Sequence, residues 1–302
     1  DYIPNDIQPT PEPAESLSDE EGQTTVSAEP AAPMGDVTVS TVDELLAAIA
    51  PATTVHLAPG EYDLSEAFDY GQARVGGTYT WEKAANGYEL VIKGVSQFSV
   101  VYDGDPGEAV ISAEPRYADV LTFRECADVT LSGFTAGHTE APGICTGGVI
   151  ALEGADNVQI DGCVLYGCGI RGITAENCRH VKAVRTVIKE CSDGAVLCTS
   201  SYDVQLDGCE IRGCGGEYST AWRLFDFQNC YAAALLNCDI HDNYIGSLLS
   251  AEYTEGAVML GCRVHDNSIS GGAIAAYDYS GESSAAIVWK ATAGSKGVAL
   301  EN

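Results

Sequence analysis

The sequence is poor in several features that would place it in a common functional class. It has 15 Lys and Arg residues against 44 Asp and Glu residues, which gives a formal net charge of −29. Nucleic-acid phosphates are bound by clustered Lys and Arg, so we expect no nucleic-acid partner. The sequence contains no apolar run that could span a bilayer and no signal peptide. We therefore expect membrane contact only through an N-terminal anchor that is removed or absent.

The first 35 residues also lack the bulky apolar side chains that a folded core requires. They contain six prolines, and residues 1–36 hold nine acidic residues and no Lys or Arg. Such a composition cannot bury enough apolar surface to offset the entropy of ordering the chain. We predict a disordered, acidic, Pro-rich linker over residues 1–35 and a folded domain over residues 36–302. A spacer of this kind at the start of a mature chain is typical of an exported protein.

One short sequence motif, here called the phrase, recurs in the folded domain. Its copies follow each other so closely that no repeat has room for a helix of ordinary length. Its copies begin at residues 158, 181, 204, 233 and 257, so they lie 23, 23, 29 and 24 residues apart. Each repeat holds three short runs that alternate apolar and polar residues, which is the pattern of half-buried strands. Turn residues separate the runs, as at Gly154–Asn157, Gly162 and Gly167–Gly169. Three strands and three turns predict one rung of a right-handed parallel β-helix, whose rungs must stack.

Two other repeat architectures do not fit this pattern. A leucine-rich repeat needs Leu and Asn ladders, and a left-handed β-helix needs a six-residue period; both are absent from the sequence. One short helix is expected before the repeats, at about residues 41–50, with Thr41 and Glu44 as a capping box. The predicted fold class is all-β: a single-stranded right-handed parallel β-helix with a short N-terminal capping helix and its clearest rungs at about residues 120–290.

Stacked rungs place equivalent residues about 4.8 Å apart, so inward-facing positions should form ladders. The two expected ladders are Cys163, Thr186, Cys209, Cys238 and Cys262, and Leu165, Ile188, Ile211, Ile240 and Val264. Phe134 takes the place of the cysteines in an earlier rung. Most of the 12 cysteines fall on inward columns, where a free thiol packs as a small apolar group.

Disulfides are the alternative for these cysteines, because neighbouring rungs bring stacked cysteines near bridging distance. The pairs that qualify are Cys168–Cys191, Cys191–Cys214 and Cys238–Cys262.

The phrases and their period resemble the pectate-lyase-like superfamily of right-handed parallel β-helix repeat proteins, from about Val37 to Trp289. The resemblance implies a bacterial protein that is secreted or held at the cell surface, and we expect a monomer. It does not imply one activity, because this scaffold carries lyases, hydrolases, adhesins and inert spikes alike. It does imply a working groove over the first strand of each rung and the loops that follow the third.

Outward positions of the first strands form two predicted columns along that groove. They are Arg124, Glu153, Glu176, Thr199, Gln228 and Glu252, and beside them Thr122, Ala151, Thr174, Leu197, Asp226 and Ser250. Glu153 and Glu176 fall on adjacent rungs, where two close carboxylates can recruit a cation, and calcium is the candidate ion.

A long loop over residues 137–148 adjoins these two carboxylates. The predicted catalytic cluster is His138, Glu140, Glu153, Arg171 and Glu176. Lyase chemistry on a uronic acid needs a neutralised carboxylate, a base and a positive group at the leaving oxygen, which this cluster can supply. The alternative is a solvated face of stacked Glu residues beside a loop that is only an insertion.

The signatures of the better-known enzymes of this superfamily are missing. The sequence has no acidic pair of the pectate-lyase type on one first strand, and Thr139 stands where the polygalacturonase Gly-His-Gly needs its second glycine. The stacked pairs His241–Asp242 and His265–Asp266 can bind a transition metal or serve as turns.

Two functional hypotheses follow. The first is an exported or surface-tethered protein that binds or displays towards carbohydrate, with polysaccharide as the partner. The second is a polysaccharide lyase or glycoside hydrolase. Groove aromatics bear on both, since sugar rings stack on them; the candidates are Tyr218, Trp222 and Tyr253.

Overall fold

The computed structural model describes residues 35–68, 77–139, 146–167, 169–216 and 223–270, and the backbone alone of residues 274–277 and 288–291. The predicted linker precedes these ranges, so its boundaries and its disorder stay predictions. None of the helices in the described ranges is both long and apolar enough to cross a membrane.

The repeated rungs form a right-handed parallel β-helix, in which each rung adds one strand to each of three sheets. The first-strand sheet contains Tyr79–Lys83, Tyr88–Lys93, Leu121–Arg124, Ile150–Glu153, Ile173–Glu176, Val196–Thr199, Arg223–Gln228, Ser247–Glu252 and Ile274–Tyr277. Its first two strands make an antiparallel hairpin, and the others are parallel.

The second-strand sheet lies next along each rung. It contains Gly35–Val39, Thr53–Leu57, Ser96–Val101, Ala127–Ser132, Asp156–Asp161, Arg179–Val184, Tyr202–Asp207, Tyr231–Leu236, Val258–His265 and Val288–Ala291.

The third-strand sheet contains Gly60–Asp63, Ala109–Ala113, Thr135–His138, Val164–Tyr166, Val187–Lys189, Glu210–Arg212, Asp239–His241 and the end of Val258–His265. A separate two-stranded pair is Tyr244–Ile245 with Ser268–Ile269.

The short N-terminal helix spans Val42–Ala47, and two 3-10 turns follow at Leu64–Ala67 and Pro106–Glu108. Thr41 caps the helix, because its hydroxyl accepts the Glu44 amide at 3.2 Å. The Glu44 carboxylate accepts the amide of Ser40 at 2.7 Å, one residue before the position of a standard capping box. Leu45 and Leu46 are buried in the same core as the first strands.

Both predicted ladders lie inside the β-helix. Every member of the cysteine ladder, of the aliphatic ladder and Phe134 is buried, with at most 4% of its surface exposed. The ladder spacing follows from the parallel register, which pairs Leu165 with Ile188 and Ile188 with Ile211 across consecutive rungs. The alternating pattern of the sequence was therefore sufficient to assign the inward face.

The cysteine ladder also satisfies backbone carbonyls at the corner between the second and third strands. The thiols of Cys209 and Cys262 donate to the carbonyls of Ala183 and Leu235 in the preceding rung, both at 3.5 Å. Thr186 donates its hydroxyl to Ile160 in the same way, at 3.3 Å. A small side chain with one hydrogen-bond donor fits this position, so either Cys or Thr can occupy it in different rungs.

The cysteines of two predicted disulfides carry free thiols in the structure. Cys214, Cys238 and Cys262 are free and buried, so the bridges Cys191–Cys214 and Cys238–Cys262 are absent. Cys168 lies outside the described residues, and the bridge Cys168–Cys191 stays untested.

Candidate functional site

Both predicted columns on the first-strand sheet have the predicted register, but in the second column Thr122, Ala151, Asp226 and Ser250 are buried and do not line an open groove. Glu153 pairs with Arg124 on one side and with Glu176 on the other. Arg124 donates to the Glu153 carboxylate through Nε and to both oxygens of Glu82, at 2.6 and 3.1 Å. Lys93 also contacts Glu82, at 2.9 Å. Glu153 is therefore part of an ion-pair network, whereas Glu176 is exposed.

Two further carboxyl groups lie beside this network, and no pattern in the sequence indicated them. Burial raises the pKa of Asp119, whose carboxylate accepts the amide of Gly148. Burial also raises the pKa of Glu89, whose carboxylate accepts the Asp119 amide at 3.0 Å. The negative charge of Glu153 adds to the shift of both groups. A raised pKa is the property that a general acid requires.

The other predicted catalytic residues have different surroundings. His138 is 1% exposed, and its Nε2 lies 2.9 Å from the Ala118 carbonyl. Arg171 is 5% exposed and donates to the Arg223 carbonyl at 2.7 Å; burial lowers its pKa. Glu140 lies outside the described residues. The structure thus places Glu153 and Glu176 together on the outer face and turns His138 and Arg171 towards backbone carbonyls, while the catalytic roles stay predictions.

The two His-Asp pairs stack on adjacent rungs, with His241 and His265 rings 5.0 Å apart and 8° from parallel. His265 Nδ1 lies 2.8 Å from Asp266 and Nε2 lies 2.9 Å from Asp239. His241 contacts Asp242 and Glu210 in the same manner, at 2.7 and 3.3 Å. Within the described ranges, no group of three or more His, Cys, Asp or Glu side chains is placed to hold a metal ion.

The pH dependence of stability provides a test of this arrangement. Asp266 and Asp239 raise the pKa of His265. A raised folded-state pKa stabilises the protein fully below the unfolded value of about 6.5, and this contribution is lost as pH rises through the folded value. We expect His265→Gln to lower the urea midpoint at about pH 5.5 and to have a smaller effect at about pH 8.5.

The matched control for that experiment is His56→Gln, because no ion pair of His56 occurs within the described residues. A loss for His265→Gln that is equal at both pH values would contradict the electrostatic role of the Asp239–His265–Asp266 contacts.

A groove of about 710 Å³ follows the corner between the first and second strands, and we call it the corner groove. Its lining residues are Asn177, Cys178, Arg179, His180, Ser200, Ser201, Tyr202, Asn229, Cys230, Tyr231, Tyr253 and Glu255. Three tyrosines in it are half-exposed: Tyr202 at 46%, Tyr231 at 49% and Tyr253 at 47%. Tyr202 and Tyr231 occupy one register column, and their rings stack 5.1 Å apart at 6°.

The local backbone explains how this groove forms. In the rungs whose first strands run from Leu121–Arg124 to Ser247–Glu252, the residue after the first strand adopts a left-handed conformation, which turns the chain sharply at the corner. These residues include Asn177, Ser200, Asn229 and Tyr253, with φ between 51° and 55°. Asn tolerates this region well, whereas a bulky residue such as Tyr occupies it at a cost. The backbone of Tyr253 therefore adopts an unfavourable conformation that places an aromatic ring at the corner. Backbone strain of this kind is concentrated at functional sites.

Of the three predicted groove aromatics, Tyr253 lies in the corner groove, and Tyr218 and Trp222 lie outside the described residues. Tyr202 and Tyr231 were missed. Their signal was present in the repeat, because both stand two residues before the valine or alanine that opens the recurring phrase.

Comparison with known proteins agrees with this architecture. The chain belongs to the right-handed β-helix family, since residues 123–286 match the family model described as "Right handed beta helix region". No curated protein matches the chain.

Among solved structures, the chain is similar to a pectate lyase from Bacillus sp. N165 in complex with trigalacturonate. The identity is 11%, the TM-score is 0.51, and 89% of this chain and 82% of that chain are covered. An alginate lyase from Paenibacillus sp. str. FPU-7 matches at 11% identity and a TM-score of 0.42, with 79% and 97% covered. At 11% identity, the likeness to the pectate lyase shows the fold alone.

Proposed function

We propose that this chain is an extracellular β-helix protein that binds a polysaccharide in the corner groove. The observation that supports this function is the set of three half-exposed tyrosines, Tyr202, Tyr231 and Tyr253, in one elongated depression. Large exposed aromatic groups gathered in a concave surface are unusual on a solvated protein and mark a binding site. The proposal includes export of the protein, because the polysaccharides that it would bind are extracellular.

The chemistry of the groove suits a sugar chain. An aromatic ring provides an apolar surface for the C–H faces of a sugar, and the tyrosine hydroxyl provides a polar tip. Asn177, Ser200 and Asn229 line the same groove and offer amide and hydroxyl groups to sugar hydroxyls. Apolar platforms with a few polar groups are the usual composition of a small-molecule site.

The direction of the groove suits a linear polymer. Its lining positions recur on consecutive rungs, because Arg179, Tyr202 and Tyr231 share one register column. Rungs are stacked about 4.8 Å apart, so the same kinds of contact repeat along the axis of the β-helix. Tyr202 and Tyr231 already stack on each other, which restricts their rotamers before a ligand arrives and lowers the entropy lost on binding.

Affinity electrophoresis in native gels that contain neutral or acidic polysaccharides tests the proposal. We expect at least one polysaccharide to retard the wild-type chain. The double variant Tyr202→Ala/Tyr231→Ala should lose this retardation, with a fall in affinity of at least about tenfold, or 1.4 kcal/mol, because the sugar faces lose their platform.

Tyr244→Ala is the matched control, since Tyr244 is 43% exposed and begins a strand of the separate two-stranded pair. It should be retarded like the wild type. Equal retardation of the double variant and the wild type would reject the corner groove as the binding site, and no retardation by any polysaccharide would reject the function.

Acid–base chemistry on a polysaccharide is a second candidate, supported by the raised pKa of Asp119 and Glu89 beside Glu153. The same polysaccharides incubated with the protein should then yield unsaturated products or new reducing ends. Asp119→Asn and Glu89→Gln should abolish that product, as should Glu153→Ala and Glu176→Ala of the predicted cluster, and the absence of any product would leave binding alone.

A further inference from the structure

We infer that the polysaccharide in the corner groove is a neutral glycan and not a polyuronate. This inference rests on the proposed function and specifies its ligand. It follows from the charges that line the groove and from the charge of the whole chain.

Among the residues that the structure describes, the groove offers almost no positive charge to an acidic ligand. Its charged lining residues are Arg179 and Glu255, one of each sign, and His180, whose Nδ1 lies 2.8 Å from the Asp156 carboxylate. The formal charges of Arg179 and Glu255 cancel, and His180 lies against the carboxylate of Asp156. A polyuronate has a carboxylate on every sugar, so laying it along several rungs would bring repeated negative charges past a single guanidinium.

The register column through Arg179 also contains only one positively charged residue among the rungs from Asp156 to Tyr231. Its register neighbours are Asp156 in the preceding rung and then Tyr202 and Tyr231 in the following rungs. The two rungs after Arg179 thus present aromatic rings where a polyuronate site would need further Arg or Lys. These two rings face each other, and the ring surface that stays exposed is apolar and suits the uncharged C–H groups of sugars.

The field of the whole protein opposes a polyanion as well. With 44 acidic residues against 15 Lys and Arg, the formal net charge is −29. A protein of strongly negative charge repels a polyanion over a distance set by the ionic strength, about 10 Å at 0.1 M salt. A neutral glycan does not experience this repulsion.

The test uses polymers that differ only in charge. Polygalacturonate and alginate are each compared with their own carboxyl-reduced forms, which retain the linkage and lose the carboxylates. We expect a reduced polymer to bind at least about tenfold more tightly than its parent, which is 1.4 kcal/mol. Added salt should leave binding of the reduced polymer unchanged and strengthen binding of the parent, because salt screens the repulsion.

The Tyr202→Ala/Tyr231→Ala variant separates this inference from the proposed function. If a parent polyuronate binds more tightly than its reduced form and the variant loses that binding, the groove binds a glycan but the ligand class is acidic, which overturns this inference alone. If neither form of any polymer binds, or the variant binds as the wild type does, the proposed function falls and this inference falls with it. Glu255→Lys replaces a negative with a positive charge, a change of +2 in the groove, and should raise the affinity for the parent polymers.

Discussion

Replacing Gly133 with alanine is expected to destabilise the β-helix by more than about 3 kcal/mol. Gly133 has φ of +74°, and an added Cβ would lie 2.0 Å from the carbonyl oxygen of Tyr102, a backbone atom of the preceding rung. That rung cannot move away freely, because the amide of Tyr102 donates to Ser132 at 2.9 Å. The amide of Gly133 in turn donates to Asp161 at 3.0 Å. The clash therefore separates two rungs, and urea unfolding would measure the loss.

Gly162→Ala is the matched control. Gly162 occupies the equivalent corner one rung later, has φ of +61°, and an added Cβ would meet nothing within 4 Å. Arg185 and Asn237 occupy the same corner position in other rungs with φ of 47° and 52°, so a Cβ is compatible with this turn. Gly162→Ala should cost only the conformational penalty of about 1–2 kcal/mol. Equal losses in Gly133→Ala and Gly162→Ala would show that the close approach of Tyr102 does not restrict the corner.

Replacing Ile188 with aspartate is expected to prevent folding. Ile188 is 0% exposed and lies in the aliphatic ladder between Leu165 and Ile211. A carboxylate there would have no partner in an apolar interior, and the burial of an uncompensated charge costs several kcal/mol or more. A domain has only about 5–15 kcal/mol of stability in total. Circular dichroism should show loss of the β-sheet signal, or a urea midpoint far below that of the wild type.

Val187→Asp is the control on the same strand. Val187 precedes Ile188 and faces the opposite side, where it is only partly buried. Successive residues of a strand point to opposite faces, so the same substitution one position earlier should leave the protein folded. Folded Ile188→Asp together with unfolded Val187→Asp would mean that the two faces are assigned the wrong way round.

The rungs could be predicted from the sequence because every rung of a solenoid repeats the same pattern of inward and outward residues. Alternation assigned Ile188 and Ile211 to the interior, and the period of the phrases gave the register that pairs Glu153 with Glu176. Both follow from a side-chain period of two and from stacking of equivalent positions. The chemistry of the cysteine ladder, in which thiols donate to carbonyls of the preceding rung, required coordinates.

The candidate site was harder to predict because loops and corners do not follow the alternation. His138 and Arg171 come at and after the ends of third strands, where outward or inward direction cannot be read from a period of two, and both are buried. Asp119 and Glu89 meet through a backbone amide between residues 30 positions apart, which no local pattern reveals. The tyrosines of the corner groove could have been found, since Tyr202 and Tyr231 recur at one position of the repeat.

Protection of tyrosines from nitration tests the central proposal most directly. Tetranitromethane modifies exposed tyrosine rings, and mass spectrometry of peptides locates each modified residue. With a retarding polysaccharide present, we expect Tyr202, Tyr231 and Tyr253 to be protected, while Tyr244, which is 43% exposed, is nitrated as before. Unchanged nitration of the three groove tyrosines under conditions in which the polysaccharide binds would contradict the assignment of the corner groove as the glycan site.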